Sequence, residues 1–506
     1  MFYPLTVNDF LYRAAEVFPD RTAVIDEPCA AQPWEPLTYR DLTARARSLA
    51  ASLDALEVGQ AGRVAILSQN SSRMLTSFYG VSGFGRILVP INFRLTTAEV
   101  AYILDHSGAD VLLADPSLKD VVDRVHCRHK FVFGENDASL WTNGSTPRVW
   151  TPEETATATI NYTSGTTARP KGVQLTHRNL WLNAATFGWH LGVDEDEVYL
   201  HTLPMFHANG WGMPYAITAF GGTHIVLRQV DGEEILRRVE RYGVTLMCGA
   251  PAVLAAILDA AKNWQGVVPG HDRVRVVVAG APPPTRLIER IREELGWEFI
   301  QIYGLTETSP FLTMSRMRRE WADIPSGEQA RLLGRAGAPG IGVKLSVDPD
   351  GEVLVASNHN LDAYWQNPEE TALAQRGGVF HTGDGGAIVD GYLTIQDRKK
   401  DVIVSGGENV SSIEVEDVLA GHPAVKEVAV IGIPDEKWGE LVTALVVTNT
   451  EIQEHELISY CRERLAGYKT PKRVEFRPEL ARTATGKLQK FKLRESYWAS
   501  RERQVN

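Results

Sequence analysis

Short apolar strands alternate with helical patterns along much of this chain, and that order restricts the fold more than any other feature. Arg63-Val-Ala-Ile-Leu, Thr223-His-Ile-Val-Leu and Arg275-Val-Val-Val-Ala read as buried strands, while Glu233 to Tyr242 and Thr285 to Leu295 carry helical spacing. Strands interleaved with helices build α/β layers. After Asp350-Gly351 the texture changes to hairpin-like strands, Gly351-Glu-Val-Leu-Val-Ala and Gly391-Tyr-Leu-Thr-Ile-Gln, bounded by Gly and Asp turns. The expected fold class is therefore α/β, with a large N-terminal domain of αβ-layered subdomains plus a β-rich subdomain over residues 1–398. A small α+β C-terminal domain follows over residues 399–506, joined tightly at the charge run Asp397-Arg398-Lys399-Lys400-Asp401.

A chain of 506 residues, 44% hydrophobic and 23% charged, is long enough for several cores. Its formal net charge of −11 argues against a nucleic-acid or anionic-membrane binder, so any phosphate site must be a local cationic focus. Cys29, Cys127, Cys248 and Cys461 show no pairing spacing, and the first residues lack a basic then apolar leader pattern. Arg86 interrupts the most apolar stretch, so no membrane span is expected. These readings favour a cytoplasmic location. His126-Cys127-Arg128-His129 has no second ligand pair and is read as ordinary surface or core rather than a metal site.

Residues 162 to 172, Tyr-Thr-Ser-Gly-Thr-Thr-Ala-Arg-Pro-Lys-Gly, carry the strongest chemical signal. Thr163, Ser164, Thr166 and Thr167 supply donors, Gly165 admits close backbone approach, and Arg169 and Lys171 offset phosphate charge. The preceding segment alternates like a strand, and Thr176 caps a helix through His177, Leu180, Ala184 and Phe187. The expected setting is strand–loop–helix around a nucleoside triphosphate. Lys171 is followed by Gly172, not by Ser or Thr, so the magnesium ligand must lie elsewhere. Glu307, beyond the strand Phe299 to Ile302, is a carboxylate suited to a magnesium bridging triphosphate oxygens. Tyr303 can stack on a base, and Asp384 in Thr-Gly-Asp is an acceptor suited to ribose hydroxyls.

With Tyr303-Gly-Leu-Thr-Glu307, Thr382-Gly-Asp384, Asp397 to Asp401, Ser405-Gly-Gly-Glu-Asn409 and Thr483-Ala-Thr-Gly-Lys487 following the first loop in order, the chain resembles the adenylate-forming superfamily along nearly its whole length. That superfamily comprises acyl- and aryl-CoA synthetases, peptide-synthetase adenylation domains and beetle luciferases. The resemblance implies ATP, Mg2+ and coenzyme A. It makes Glu307, Thr306 and Tyr303-Gly304 the magnesium, α-phosphate and adenine contacts, Gly280-Ala281-Pro282 one wall of the adenine pocket, and Arg398 a second ribose contact. A substrate carboxylate would attack the α-phosphorus and release pyrophosphate. Already ionised, it needs no general base but does need a cation between it and the phosphate, for which Lys487 is the candidate. The small domain would then rotate about Lys400, replacing Lys487 by the loop at Gly406 and Gly407, and a thiol would displace AMP. Trp438, Lys469 and Lys472 are weaker candidates for the CoA nucleotide.

The resemblance also assigns the acid pocket. His207 would gate it rather than act as a base, with Ala208, Asn209, Gly210, Trp211, Met247, Gly249, Ala250 and Thr308 around it. Small residues at 208, 210, 249 and 250 suggest a bulky apolar acid. Three residues depart from the family pattern: Ala168 and Ala363 stand where glycine is usual, and Ala281-Pro-Pro-Pro284 is proline-rich. The partners are a small carboxylic acid and CoA or an acyl carrier protein. The oligomeric state is open, a homodimer included, and luciferase-like oxidation of the adenylate or plain nucleotide binding are the competing readings.

Overall fold

The computed structural model describes residues 1–27, 32–163, 170–280, 282–398, 401–406, 408–435, 437–482 and 488–499, with the side chains of residues 397 and 398 excepted. Two large sheets face one another in the N-terminal part. The first has seven strands, Ala363–Tyr364, Lys171–Thr176, Thr157–Thr163, Ile87–Ile91, Arg63–Leu67, Ala109–Ala114 and His129–Val132 in spatial order. The second has nine, running from Ala338–Pro339 through Phe311–Ser315, Glu298–Gly304, Arg275–Val278, Leu246–Gly249, Val198–His201, Thr223–Val226 and Thr22–Ile25 to Leu37–Thr38. Both are parallel in their centres; the nine-stranded sheet is antiparallel at both margins and the seven-stranded sheet only at the Ala363–Tyr364 margin.

Alternation along each central strand sends side chains to opposite faces. Val64 and Ile66 join Val277, Ile300 and Ile302 in the core between the sheets. Their neighbours Ala65 and Leu67 pack in an outer core with Ile103 and Leu104, while Val276, Val278 and Phe299 pack outward against Ile235, Leu254 and Ile288. Parallel strands buried on both faces need helices on both sides, which makes five alternating layers. Several helices begin at encoded caps: Thr38 with Asp41, Thr96 with Glu99, and Thr176 with Asn179 form reciprocal pairs. No helix among the described residues is long and apolar enough to cross a membrane.

One expectation is corrected. The phosphate-type loop does not lead into a helix, because Lys171–Thr176 forms a strand antiparallel to Thr157–Thr163, with Thr163 opposite Lys171. Val173 and Leu175 alternate into the core on that strand, and the helix His177–Leu191 starts only after it. The loop is thus a hairpin connection.

A four-stranded antiparallel sheet, Val343–Val347, Glu352–Ser357, Phe380–Val389 and Tyr392–Arg398, supplies the β-rich region. It ends at Arg398, and a separate core begins at Ile403. That core lies on a five-stranded sheet in which Gly439–Thr448 pairs with Val425–Asp435, Ile403–Ser405 and Arg473–Phe476.

Candidate active site

Four site segments leave the C-terminal ends of adjacent strands in the nine-stranded sheet. Residues 204–212 follow Val198–His201, Ala250 follows Leu246–Gly249, Gly280 follows Arg275–Val278, and residues 305–308 follow Glu298–Gly304. The crevice at such strand ends is where open α/β sheets bind ligands. Thr163 and Lys171 pair at the base of the hairpin in the facing sheet, and Lys171 lies beside the Tyr364 ring whose hydroxyl binds Glu307.

The turn after Glu298–Gly304 carries several of the candidate residues. Its register slips between Tyr303 and Gly304, and a Cβ at Gly304 would lie 1.5 Å from the Pro310 carbonyl oxygen, so only glycine fits. The Thr308 hydroxyl is wholly buried and binds the Leu305 and Pro310 backbone, which fixes the turn rather than offering a group to a ligand. Tyr303 donates its hydroxyl to Asp384 Oδ2 at 2.8 Å, bringing the base-stacking and ribose candidates together across 81 residues of sequence.

Glu307 is half-buried, and Tyr364 donates its hydroxyl to Glu307 Oε1 at 3.0 Å. Burial and then the Glu307 charge hold the Tyr364 phenol well above its ordinary range, so it stays a donor. The Lys171 ammonium lies 5.5 Å from the centre of the Tyr364 ring and 2.5 Å from Glu370 Oε2. A magnesium fits this donor set. Among the described residues no group of three His, Cys, Asp or Glu side chains could hold a metal alone, and magnesium with a nucleotide is bound by one or two carboxylates plus phosphate oxygens.

Residues 208–212 adopt a left-handed turn. Ala208, Asn209, Gly210, Trp211 and Gly212 have φ of 44°, 54°, 58°, 59° and 80°. Left-handed helical backbone costs an L residue roughly 1–2 kcal/mol, so three of the five need outside support. Asn209 is fully buried, accepts from Asn161 Nδ2 at 3.1 Å and donates to Thr159 Oγ1 at 3.0 Å. Asn183 donates to the Trp211 carbonyl at 3.4 Å and accepts from the Phe311 amide at 3.0 Å. Gly210 and Gly212 therefore answer a backbone demand, and at Gly212 a Cβ would also lie 2.4 Å from Asn183 Nδ2. Trp211 and Met247 are buried in the two cores flanking the sheet, whereas His207, just before the turn, is half-buried.

In the C-terminal part, the Gly406 amide donates to the Trp438 carbonyl at 2.8 Å, and a Cβ at Gly406 would come within 2.9 Å of the Trp438 ring. Lys469 is held by Glu414 at 2.7 Å, and Lys472 by the Gly467 carbonyl. Asp417 joins the two parts, accepting from the Thr285 amide at 2.9 Å and hydroxyl at 3.1 Å. Pro282, beside Gly280, is exposed three residues before that contact. Ser164, Gly165, Thr166, Thr167, Ala168, Arg169, Ala281, Lys400, Gly407, Lys487 and the Arg398 side chain lie outside the described residues. Sequence reading missed Asn161, Asn183 and Glu370, and nothing local marks them. Tyr364, beside Ala363 in a segment already noted, was the accessible signal.

Comparison with known proteins gives concordant matches. Residues 11–365 match the AMP-binding enzyme family, and residues 414–487 match the AMP-binding enzyme C-terminal domain. A 4-hydroxybutyrate–CoA ligase of Metallosphaera sedula is 38% identical, with 97% of this chain and 94% of that protein covered. The structure of an anthranilate CoA ligase with anthranoyl-AMP superposes with a TM-score of 0.88 at 27% identity, covering 98% of each chain. The o-succinylbenzoate CoA synthetase of Bacillus subtilis, solved with ATP and magnesium, superposes with a TM-score of 0.81 at 30% identity, covering 96% of this chain and 98% of the other.

Proposed function

The chain belongs to the AMP-binding enzyme family, and from that premise we propose how its residues perform an acid–CoA ligation through an acyl-adenylate. In the first step the substrate carboxylate attacks the α-phosphorus of ATP, forming the mixed anhydride as pyrophosphate leaves. In the second the CoA thiolate attacks the acyl carbon and AMP leaves, the thiol proton passing to solvent or phosphate. Positioning and charge neutralisation do most of the work in phosphoryl chemistry of this kind.

The observation that carries the assignment is the pair of contacts anchored four residues apart, on Tyr303 and Glu307. Tyr303 with Asp384 forms the nucleoside side, while Glu307 with Tyr364 and Lys171 forms the phosphate side. Thr163, Ser164, Gly165, Thr166, Thr167 and Lys171 clamp the β- and γ-phosphates, with Gly280, Ala281 and Pro282 against the base. Magnesium on Glu307 would supply charge neutralisation to the departing pyrophosphate. Lys487 bridges carboxylate and α-phosphate until the C-terminal domain, residues 399–506, turns about Lys400 and presents Gly406, Gly407 and Trp438 to CoA. What supports a division there is the end of one sheet at Arg398 and the start of another core at Ile403.

The acid is a bulky apolar one in our reading, which after the left-handed turn rests on Ala208, Gly249 and Ala250. CoA is the acceptor in preference to a carrier protein, and the location is cytoplasmic. Exchange of labelled pyrophosphate into ATP across a panel of acids, then AMP release with CoA added, tests this. Exchange that depends on the acid, with AMP released only when CoA is present, is expected. No exchange with any acid sinks the activity, and exchange confined to butyrate or smaller sinks the size assignment. Lys487→Ala should slow adenylation far more than thioester formation from supplied acyl-adenylate.

A further inference from the structure

Thr159, Asn161 and Asn209 form a closed ring of hydrogen bonds. The Thr159 hydroxyl donates to Asn161 Oδ1 at 2.9 Å, the Asn161 amide donates to Asn209 Oδ1 at 3.1 Å, and the Asn209 amide donates back to Thr159 Oγ1 at 3.0 Å. Each member gives one proton and takes one, so reversing either amide breaks the ring. All three are buried, at 0%, 2% and 0% exposure. A satisfied buried polar network has one arrangement and fixes what it joins.

What it joins is specific. Thr159 and Asn161 project from one face of the strand that ends at Thr163, where the phosphate hairpin begins. Asn209 belongs to the left-handed turn two residues beyond His207. The ring thus spans the two sheets and ties the segment assigned to ATP phosphates to the segment assigned to the acid.

We propose that Asn161 and Asn209 are positioning residues for adenylation, holding the His207 segment in register with the Thr163 hairpin so that the carboxylate and the α-phosphorus meet in line. The proposal rests on the acid-activating reading of the site. The backbone supplies the strain that makes the ring necessary, since a turn of five left-handed residues does not keep its place unaided. Both asparagine side chains are buried and engaged within the ring. Their effect passes through the segments they lock together.

The experiment uses the full-length enzyme with Asn161→Ala, Asn209→Gly and the double variant. Glycine keeps left-handed backbone at no steric cost, so Asn209→Gly removes the amide without adding strain. Acid-dependent pyrophosphate exchange is read as separate KM values for acid and ATP. Asn161→Ala, on the phosphate side, should raise KM for the acid, and Asn209→Gly, on the acid side, should raise KM for ATP, each by about tenfold, with the double variant no worse than either single one. A merely structural role would lower the active fraction and leave both KM values alone, and that result overturns the proposal, as do additive effects or a fully active Asn209→Gly. Amide hydrogen exchange over residues 208–212 keeps the two readings separable. If the wild type activates no acid, the functional reading fails, yet faster exchange there in Asn161→Ala still supports the tie, and unchanged exchange removes it.

Discussion

Tyr303 and Asp384, 81 residues apart in sequence, meet through a 2.8 Å hydrogen bond from the phenol to a buried carboxylate. The bond orients the carboxylate proposed to accept from the ribose, and it joins the nine-stranded sheet to the β-rich region. Hydrogen bonds to charged groups contribute about 1.5–3 kcal/mol. Tyr303→Phe keeps a ring for the base but removes the phenol's hold on Asp384, so KM for ATP should rise about tenfold with kcat nearly unchanged. Asp384→Ala should do more. Steady-state pyrophosphate release measures both, and an unaltered KM in Tyr303→Phe would show that the phenol does not orient the carboxylate.

Lys171 is paired with Glu370 at 2.5 Å, at side-chain exposures of 23% and 36%. In the proposed site a triphosphate would have to take the ammonium from that carboxylate. An ion pair so accessible contributes about 0.2–1 kcal/mol after solvent screening, so its removal should favour ATP modestly. Glu370→Gln is expected to lower KM for ATP by about two- to fivefold, with the difference shrinking as salt is added. A higher KM would mean that Glu370 positions Lys171 instead of competing for it.

Local patterns in the chain carried the layers, the Thr176 cap and the order of the site segments, because each depends on residues within one turn or strand of each other. The hairpin was misjudged for a physical reason. Lys171 to Thr176 is a six-residue strand whose apolar positions, Val173 and Leu175, are too few to separate from a helix start. The small residues at 208 and 210 suggested space because composition cannot reveal a positive φ. Contacts such as Asn161 with Asn209 or Tyr364 with Glu307 span 48 and 57 residues, and no local period encodes them.

The Thr285–Asp417 contact bears on the proposed rotation of the C-terminal domain. Asp417 accepts from both the amide and the hydroxyl of Thr285, at the start of the helix Thr285–Arg290. It lies at the surface, so its loss should change stability little. A contact present in only one of two domain arrangements biases the equilibrium between them. Asp417→Ala should therefore move the half-reactions in opposite directions, slowing one and hastening the other. Stopped assays of adenylation and of thioester formation from supplied acyl-adenylate would reveal it. Equal changes in both would detach this contact from the rotation.

Acid sensitivity follows from histidines inside the large domain. His201 Nε2 and His224 Nδ1 stand 3.0 Å apart, the Thr218 hydroxyl is 3.0 Å from His224 Nε2, and the Tyr199 ring packs edge-on against His201. Burial pushes His224 down to about 3 and His201 well below its ordinary value, the second with help from its neighbour, while burial takes His177 down to about 4. In the unfolded chain each imidazole takes a proton near pH 6.5. Between there and the folded values the unfolded state binds more protons, so this stability is complete above about pH 6.5 and declines as the pH falls. At pH 5 the cost is about 2 kcal/mol for each imidazole. The melting temperature should drop steeply from pH 7 to 5, and His224→Gln, whatever its own starting stability, should show a shallower slope. The same slope in that variant would place the acid sensitivity elsewhere.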